Sequence, residues 1–255
     1  MALHSGVAWI DLKDPDGGSL GAADAATAAV VGETLRAGRD RDGRITSAAL
    51  GELSDTPTIA AKYLAGYFPL LKVGLSGLRD TADWPERLSQ LYTTIHMAGA
   101  QLVPVIYADH HACRAPRPEQ VIEVAHALRE QPARRLPKMV PARVSAMVAD
   151  AEEYSGGEVM EPGRARYVLI DTFTKDGRRL LDWMAPAELE SIVQLAAASG
   201  RQTVVAGSLA LQDLPQLMQL PVAAIAVRGA VCAGDRRSGL CAEKLRQWVE
   251  LFAAR

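Results

Sequence analysis

Seven short runs of the chain are apolar almost throughout: VAWIDLK (7–13), RITSAALGEL (44–53), PLLKVGL (69–75), QLVPVIYAD (101–109), RYVLIDTF (166–173), QTVVAGSL (202–209) and AAIAVRGA (223–230). A strand with one wet face alternates apolar and polar positions, whereas a strand covered on both faces is apolar throughout. The runs therefore predict buried parallel strands. Alanine- and leucine-rich stretches of helical character separate them, such as AELESIVQLAAASG (187–200), which ends on a glycine suited to a C-cap. The closing CAEKLRQWVELFAAR (241–255) predicts an amphipathic helix able to cover the last strand. Strand and helix in unbroken alternation define an α/β fold.

Within that class, the polar residues favour a TIM-type (β/α) barrel over an open doubly wound sheet. Asp11, Lys13, Lys72, Asp109, Asp171, Lys175, Ser208 and Arg228 fall at or just beyond the C-terminal ends of different strands. A barrel draws its site from many strand ends, an open sheet from one crossover. No GxGxxG follows the first strand, so a dinucleotide has little support. The connection from 114 to 163 is far longer than the others, with helical pieces expected at 118–130 and 140–154 around a basic, proline-punctuated linker. It is expected to be a helical insertion within one domain spanning 1–255, acting as a lid, a contact in a homo-oligomer or a plain surface excursion.

Composition narrows the function class. The 255 residues are 49% hydrophobic with a net charge of −2, and the charges are interspersed. Neither nucleic acid nor an anionic membrane is an expected partner. No run approaches the roughly 18 apolar residues of a membrane span, and no signal peptide follows Met1. The three cysteines, without CxxC spacing, fit a reduced cytoplasmic protein.

Lysine is rarely buried, because desolvating its ammonium is costly and lowers its pKa. Here Lys13 and Lys72 lie in apolar strands and Lys175 lies just beyond another, each with an aspartate near. A neutral amine attacks carbonyl carbon, and Asp11 and Asp171 can hold the ammonium form or exchange protons. This set suits Schiff-base chemistry on an aldehyde or ketone, with neither metal nor redox cofactor expected. The loops after the last two strands carry Gly207, Ser208, Arg228 and Gly229, where barrels commonly grip phosphate. Ser19, in DGGSLGAADA near a helix start, is a further anion candidate. His110 and His111 adjoin Asp109, but neighbours on a strand diverge, so no metal pair is expected. GDRRSG (234–239) reads as a solvated loop.

The stretches DLKDPDGGSLGA, KVGLSG, YAD, IDTFTKDG, AGSLALQDLP and VRGAVCAGDRRSG together resemble the (5-formylfuran-3-yl)methyl phosphate synthase family of methanofuran biosynthesis. The resemblance implies a barrel lyase that joins two glyceraldehyde 3-phosphate molecules and releases one phosphate and water. It implies Lys13 as the Schiff-base lysine and Lys72 as proton acceptor, with Asp11, Asp171 and Lys175 as the other charged residues of the site. Family members carry a strand and helix before the D-x-K motif. This chain is accordingly expected to show seven strands, with a gap beside residues 7–13. Two rival readings are another class I aldolase-type barrel acting on sugar phosphates and a non-catalytic barrel that binds a phosphorylated metabolite.

Overall fold

The computed structural model describes residues 2, 5–39, 44–55, 58–129 and 167–253. Their elements run β1 (Trp9–Leu12), α1 (Ala25–Arg39), β2 (Ile45–Glu52), α2 (Thr58–Ala65), β3 (Leu70–Gly74), α3 (Trp84–Met97), β4 (Gln101–Tyr107) and α4 (Pro118–Arg129). They continue with β5 (Tyr167–Asp171), α5 (Leu180–Trp183), α6 (Pro186–Ala198), β6 (Gln202–Val205), α7 (Leu214–Leu217), β7 (Ala224–Ile225) and α8 (Ala242–Ala253). All seven apolar runs contain a strand. The strands form one parallel sheet in the order β1-β2-β3-β4-β5-β6-β7, so each pairs only with its neighbours in the chain.

The uniform apolarity of the runs conceals a two-residue alternation. One set of side chains, including Ala48, Leu50, Leu71, Val73, Ile106, Val168 and Ile170, packs with the helices. The other set, including Ala49, Leu70, Val103, Val105, Leu169 and Val204, forms a separate inner core. The sheet curls around that inner core. The Trp9 ring of β1 meets the Tyr167 ring of β5 edge-on, with centroids 5.1 Å apart, although the two strands stand four places apart in the sheet. Fully burying one leucine or valine is worth about 1.5–3 kcal/mol, so two apolar layers are what hold the sheet in this curve.

The interior strands β3 and β5 are buried along their whole length, whereas β1 and β7, the two ends of the sheet, are only partly buried. Among the described residues no pairing joins β1 to β7. Their following loops do meet. Arg236 Nη2 donates to the Gly18 carbonyl at 2.8 Å, and Arg237 Nε pairs with Asp16 Oδ1 at 2.8 Å. GDRRSG is largely exposed, as expected, and is also tied to the first glycine loop.

The first helix expected in the long connection, at 118–130, is present as α4. The helix α4 packs on β4 and on α6, in the place of an ordinary crossover helix. The rest of that stretch, with the second expected helix at 140–154, lies outside the described residues. No described helix is long and apolar enough to cross a membrane.

Candidate active site

The first glycine loop is a close backbone crossing. Asp14 N–H donates to the Gly21 carbonyl at 2.8 Å, and a β-carbon on Gly21 would overlap the Asp14 carbonyl and the Gly17 α-carbon. Folded back in this way, the loop sets the Ser19 carbonyl 3.2 Å from Lys13 Nζ. Ser19 Oγ donates to the Thr172 carbonyl at 2.8 Å and is buried. That hydroxyl is therefore a tie between the β1 and β5 loops. Ser19 also lies away from the helix start. Asp24 caps α1, accepting from Thr27 N–H at 2.9 Å and Thr27 Oγ at 2.6 Å.

The inner face of β1, β2 and β3 carries a directed chain of hydrogen bonds. Trp9 Nε1, which can only donate, bonds Ser47 Oγ at 2.9 Å. Ser47 then gives its own proton to Asp11 Oδ1 at 2.5 Å. Asp11 Oδ2 is ion-paired with Lys72 Nζ. Sequence reasoning missed Ser47; its signal was a hydroxyl in an apolar strand, directly across from Asp11 in the parallel register.

Across the mouth, Asp171 Oδ1 accepts from Thr172 N–H at 2.7 Å and from Lys175 Nζ at 3.1 Å. Lys175 Nζ also bonds the Thr172 carbonyl at 2.5 Å and its hydroxyl at 3.1 Å. Asp109 stands behind this turn. Its two oxygens accept the Phe173 and Thr174 N–H groups at 2.7 Å each, so it shapes the loop that carries Lys175.

Electrostatically, the mouth is a set of coupled opposite charges. Burial lowers the Lys13 pKa below the usual lysine value, and the Lys72 and Lys175 ammoniums lower it further, against the Asp171 and Asp11 carboxylates. Burial works to raise the Asp171 pKa, but Lys175 and Lys13 outweigh it and hold the carboxyl below its usual range. Lys13 differs from the other two lysines in its contacts. Lys72 and Lys175 are ion-paired with aspartates, while the hydrogen bond from Lys13 goes to a main-chain carbonyl.

The later loops contribute less definite chemistry. Gly207 and Ser208 follow β6, and Ser208 sits at φ 52°, the left-handed region uncommon for a non-glycine residue. Arg228 Nε donates to the Arg236 carbonyl at 2.8 Å, which turns its guanidinium toward the docked loop. Gly229 opens a short 3₁₀ turn, Gly229–Val231. His110 and His111 depart from expectation. They lie in a turn beyond β4, not on the strand, and their rings approach to 4.2 Å between centroids. Burial, the neighbouring His111 and Arg79 lower the His110 pKa. Among the described residues no group of three or more His, Cys, Asp or Glu could hold a metal ion.

Comparison with known proteins agrees with the motifs. The chain is 27% identical over 260 residues to the (5-formylfuran-3-yl)methyl phosphate synthase of Methanopyrus kandleri, covering 99% of this chain and 93% of that one. It is 27% identical over 255 residues to the synthase of the same name from Methanosarcina acetivorans, covering 98% and 92%. Among solved structures, phosphoribosyl anthranilate isomerase from Thermus thermophilus aligns with a TM-score of 0.49 at 16% identity, covering 99% of this chain and 90% of that one. The 4-HFC-P synthase family model matches residues 1–136 and 128–249. The chain belongs to the 4-HFC-P synthase family.

Proposed function

We propose that this protein is a cytoplasmic carbon–oxygen lyase of methanofuran biosynthesis. In this reading it joins two molecules of glyceraldehyde 3-phosphate into (5-formylfuran-3-yl)methyl phosphate, with loss of one phosphate and of water. The observation that carries the reading is the contrast among the three lysines. Burial holds the Lys13 pKa below the usual lysine value, and among the described residues no carboxylate is hydrogen-bonded to its amine, which favours attack of that amine on an aldehyde carbon. As the imine forms, the carbonyl oxygen leaves as water, and Asp11 and Asp171 supply and recover protons. Lys72, after passing its extra proton to Asp11, is the proton acceptor of the condensation, a step separate from the loss of water. Lys175, held in place by Asp171, presents its ammonium to the phosphorylated substrate on the opposite side.

Gly207, Ser208, Arg228 and Gly229 hold a substrate phosphate in this scheme, which the positive-φ backbone at Gly207 and Ser208, a conformation common in anion-binding turns, supports. No cofactor takes part.

The test is incubation with glyceraldehyde 3-phosphate alone, followed by borohydride reduction and peptide mapping. The expected result is furan absorbance, released phosphate and a reduced adduct on Lys13. Lys13→Ala should abolish the adduct, and so should Lys13→Arg, because guanidinium stays protonated at neutral pH. An aldol product without phosphate release would favour an aldolase-type barrel instead. An adduct on Lys72 or Lys175 would overturn the assignment of Lys13.

A further inference from the structure

The register of β2 against β3 slips once. Ala49 pairs with Lys72 and Glu52 with Gly74, so three steps along β2 match two along β3. The extra residue makes a bulge in which Gly51 takes φ +89°, the left-handed region that glycine enters freely. Simple alternation would send Glu52 outward with Leu50. Instead Leu53 joins the core under the helices, and Glu52 turns toward the inner face. Bulges beside active sites re-aim side chains, and this one brings a carboxylate to the barrel mouth.

Once inside, the carboxylate is held at both oxygens. Tyr107 OH donates to Glu52 Oε1 at 2.6 Å, and Ser76 N–H donates to Oε2 at 2.8 Å. The bare α-carbon of Gly74 lies against them, and a β-carbon there would overlap both carboxylate oxygens and the phenol oxygen. Gly74 shares its face with Lys72, two residues earlier, and Tyr107 sits directly across from Asp171 in the register. Glu52 and Tyr107 thus fill the arc of the mouth between Lys72 and Asp171. Burial, and then the Glu52 charge, keep the Tyr107 phenol well above its usual pKa, so it stays a neutral donor.

We propose that Glu52 is a proton-transfer group acting directly on the bound substrate, with Tyr107 as its positioning residue. The proposal rests on the reading of the site as one that removes water from a phosphorylated hydroxy-aldehyde. A Glu52 oxygen takes the proton from the carbon beside the carbonyl or imine carbon. That C–H pair becomes a carbon–carbon double bond as the bond to the hydroxyl on the next carbon breaks. The departing hydroxide collects the proton from Glu52 and leaves as water, which restores the carboxylate.

The test uses the full chain with glyceraldehyde 3-phosphate in light and heavy water. Glu52→Gln keeps the shape but loses the basic oxygen. It should still give the borohydride adduct on Lys13, while turnover falls by roughly 100-fold or more and exchange of substrate C–H for deuterium is lost. Tyr107→Phe removes one donor from the charged carboxylate, so the acid limb of the kcat–pH profile should move to higher pH. A purely structural role would leave that limb in place. If Glu52→Gln does not fold, Glu52→Asp replaces it and should lower exchange and turnover in proportion. Wild-type turnover and exchange in Glu52→Gln, or an unmoved limb in Tyr107→Phe, would overturn the proposal. Loss of exchange in Glu52→Gln supports Glu52 even if wild type gives no trapped adduct, a result that would sink only the Schiff-base reading.

Discussion

Lys13 takes its character from its neighbours, and so its titration should report them. Lys72 lowers the Lys13 pKa, and in pairing with Asp11 it also engages a carboxylate that raises it. Lys72→Met removes the like charge and releases Asp11. Both effects favour the ammonium, so the acid limb of adduct formation at Lys13, where the amine gains its proton, should shift to higher pH. Asp171→Asn removes the largest opposing charge, and the same limb should shift to lower pH. Mass-spectrometric trapping rates across pH check both signs without requiring turnover. Gly21 offers a test by close approach. In Gly21→Ala the new methyl meets the Asp14 carbonyl, the loop must open, and the Ser19 carbonyl is drawn away from Lys13. Trapping should slow at least tenfold with little change in the melting midpoint. At this scale much of the site was legible. Asp11, Lys13, Lys72, Asp171 and Lys175 stood out as charges in apolar runs, a placement that is costly unless it is used. The tie from Ser19 to Thr172 was not legible, because a hydroxyl in a glycine loop looks the same whether or not it joins two loops.

Among the elements, the strands were legible and their faces were not. A strand covered on both sides shows no alternation in its apolar residues, so the split between inner core and helix-facing core appears only once the sheet is curled. The bulge in β2 was invisible for a related reason. Gly51 and Glu52 look like the frayed end of a strand, whereas the slip in register makes them the last step into the mouth. The helix α4 was legible at 118–130, but its packing on β4 and α6 was not, because length alone does not say where a helix docks. Trp9 is the element-scale test. Its ring reaches from β1 to Tyr167 of β5, and its indole N–H feeds the chain through Ser47 to Asp11. Trp9→Ala should cost about 3 kcal/mol, the lower end for removing a large aromatic because β1 is only partly buried. Urea unfolding would measure it. Trp9→Phe should recover most of that stability but not the hydrogen bond, which separates packing from alignment of Asp11.

Over the whole molecule, the sheet order repeats the chain order from β1 to β7. Every described strand pairing is therefore closed by a single crossover, and none waits for chain ends to meet. The entropy of closing such loops grows only slowly with length, so the longer crossover between α4 and β5 adds little to it. Protection against hydrogen exchange should follow the same geometry. Amides of β3, β4 and β5 should be slowest, while β1 and β7, half-buried at the ends of the sheet, should exchange through local opening. Equal protection in β1 and β4 would contradict this. During synthesis, each new strand leaving the ribosome finds its partner already made. The sheet can grow one strand at a time from its first strand–helix–strand crossover, and the charges of the candidate site come together in that order. Asp11 meets Lys72 when β3 docks, and Lys13 meets its balancing Asp171 only after β5 arrives. Until then Asp11 and Glu52 match the ammoniums of Lys13 and Lys72, and β5 brings Asp171 together with Lys175, so the growing mouth stays near neutral and a nascent chain stalled before β5 should bind free anions no more tightly than the finished protein.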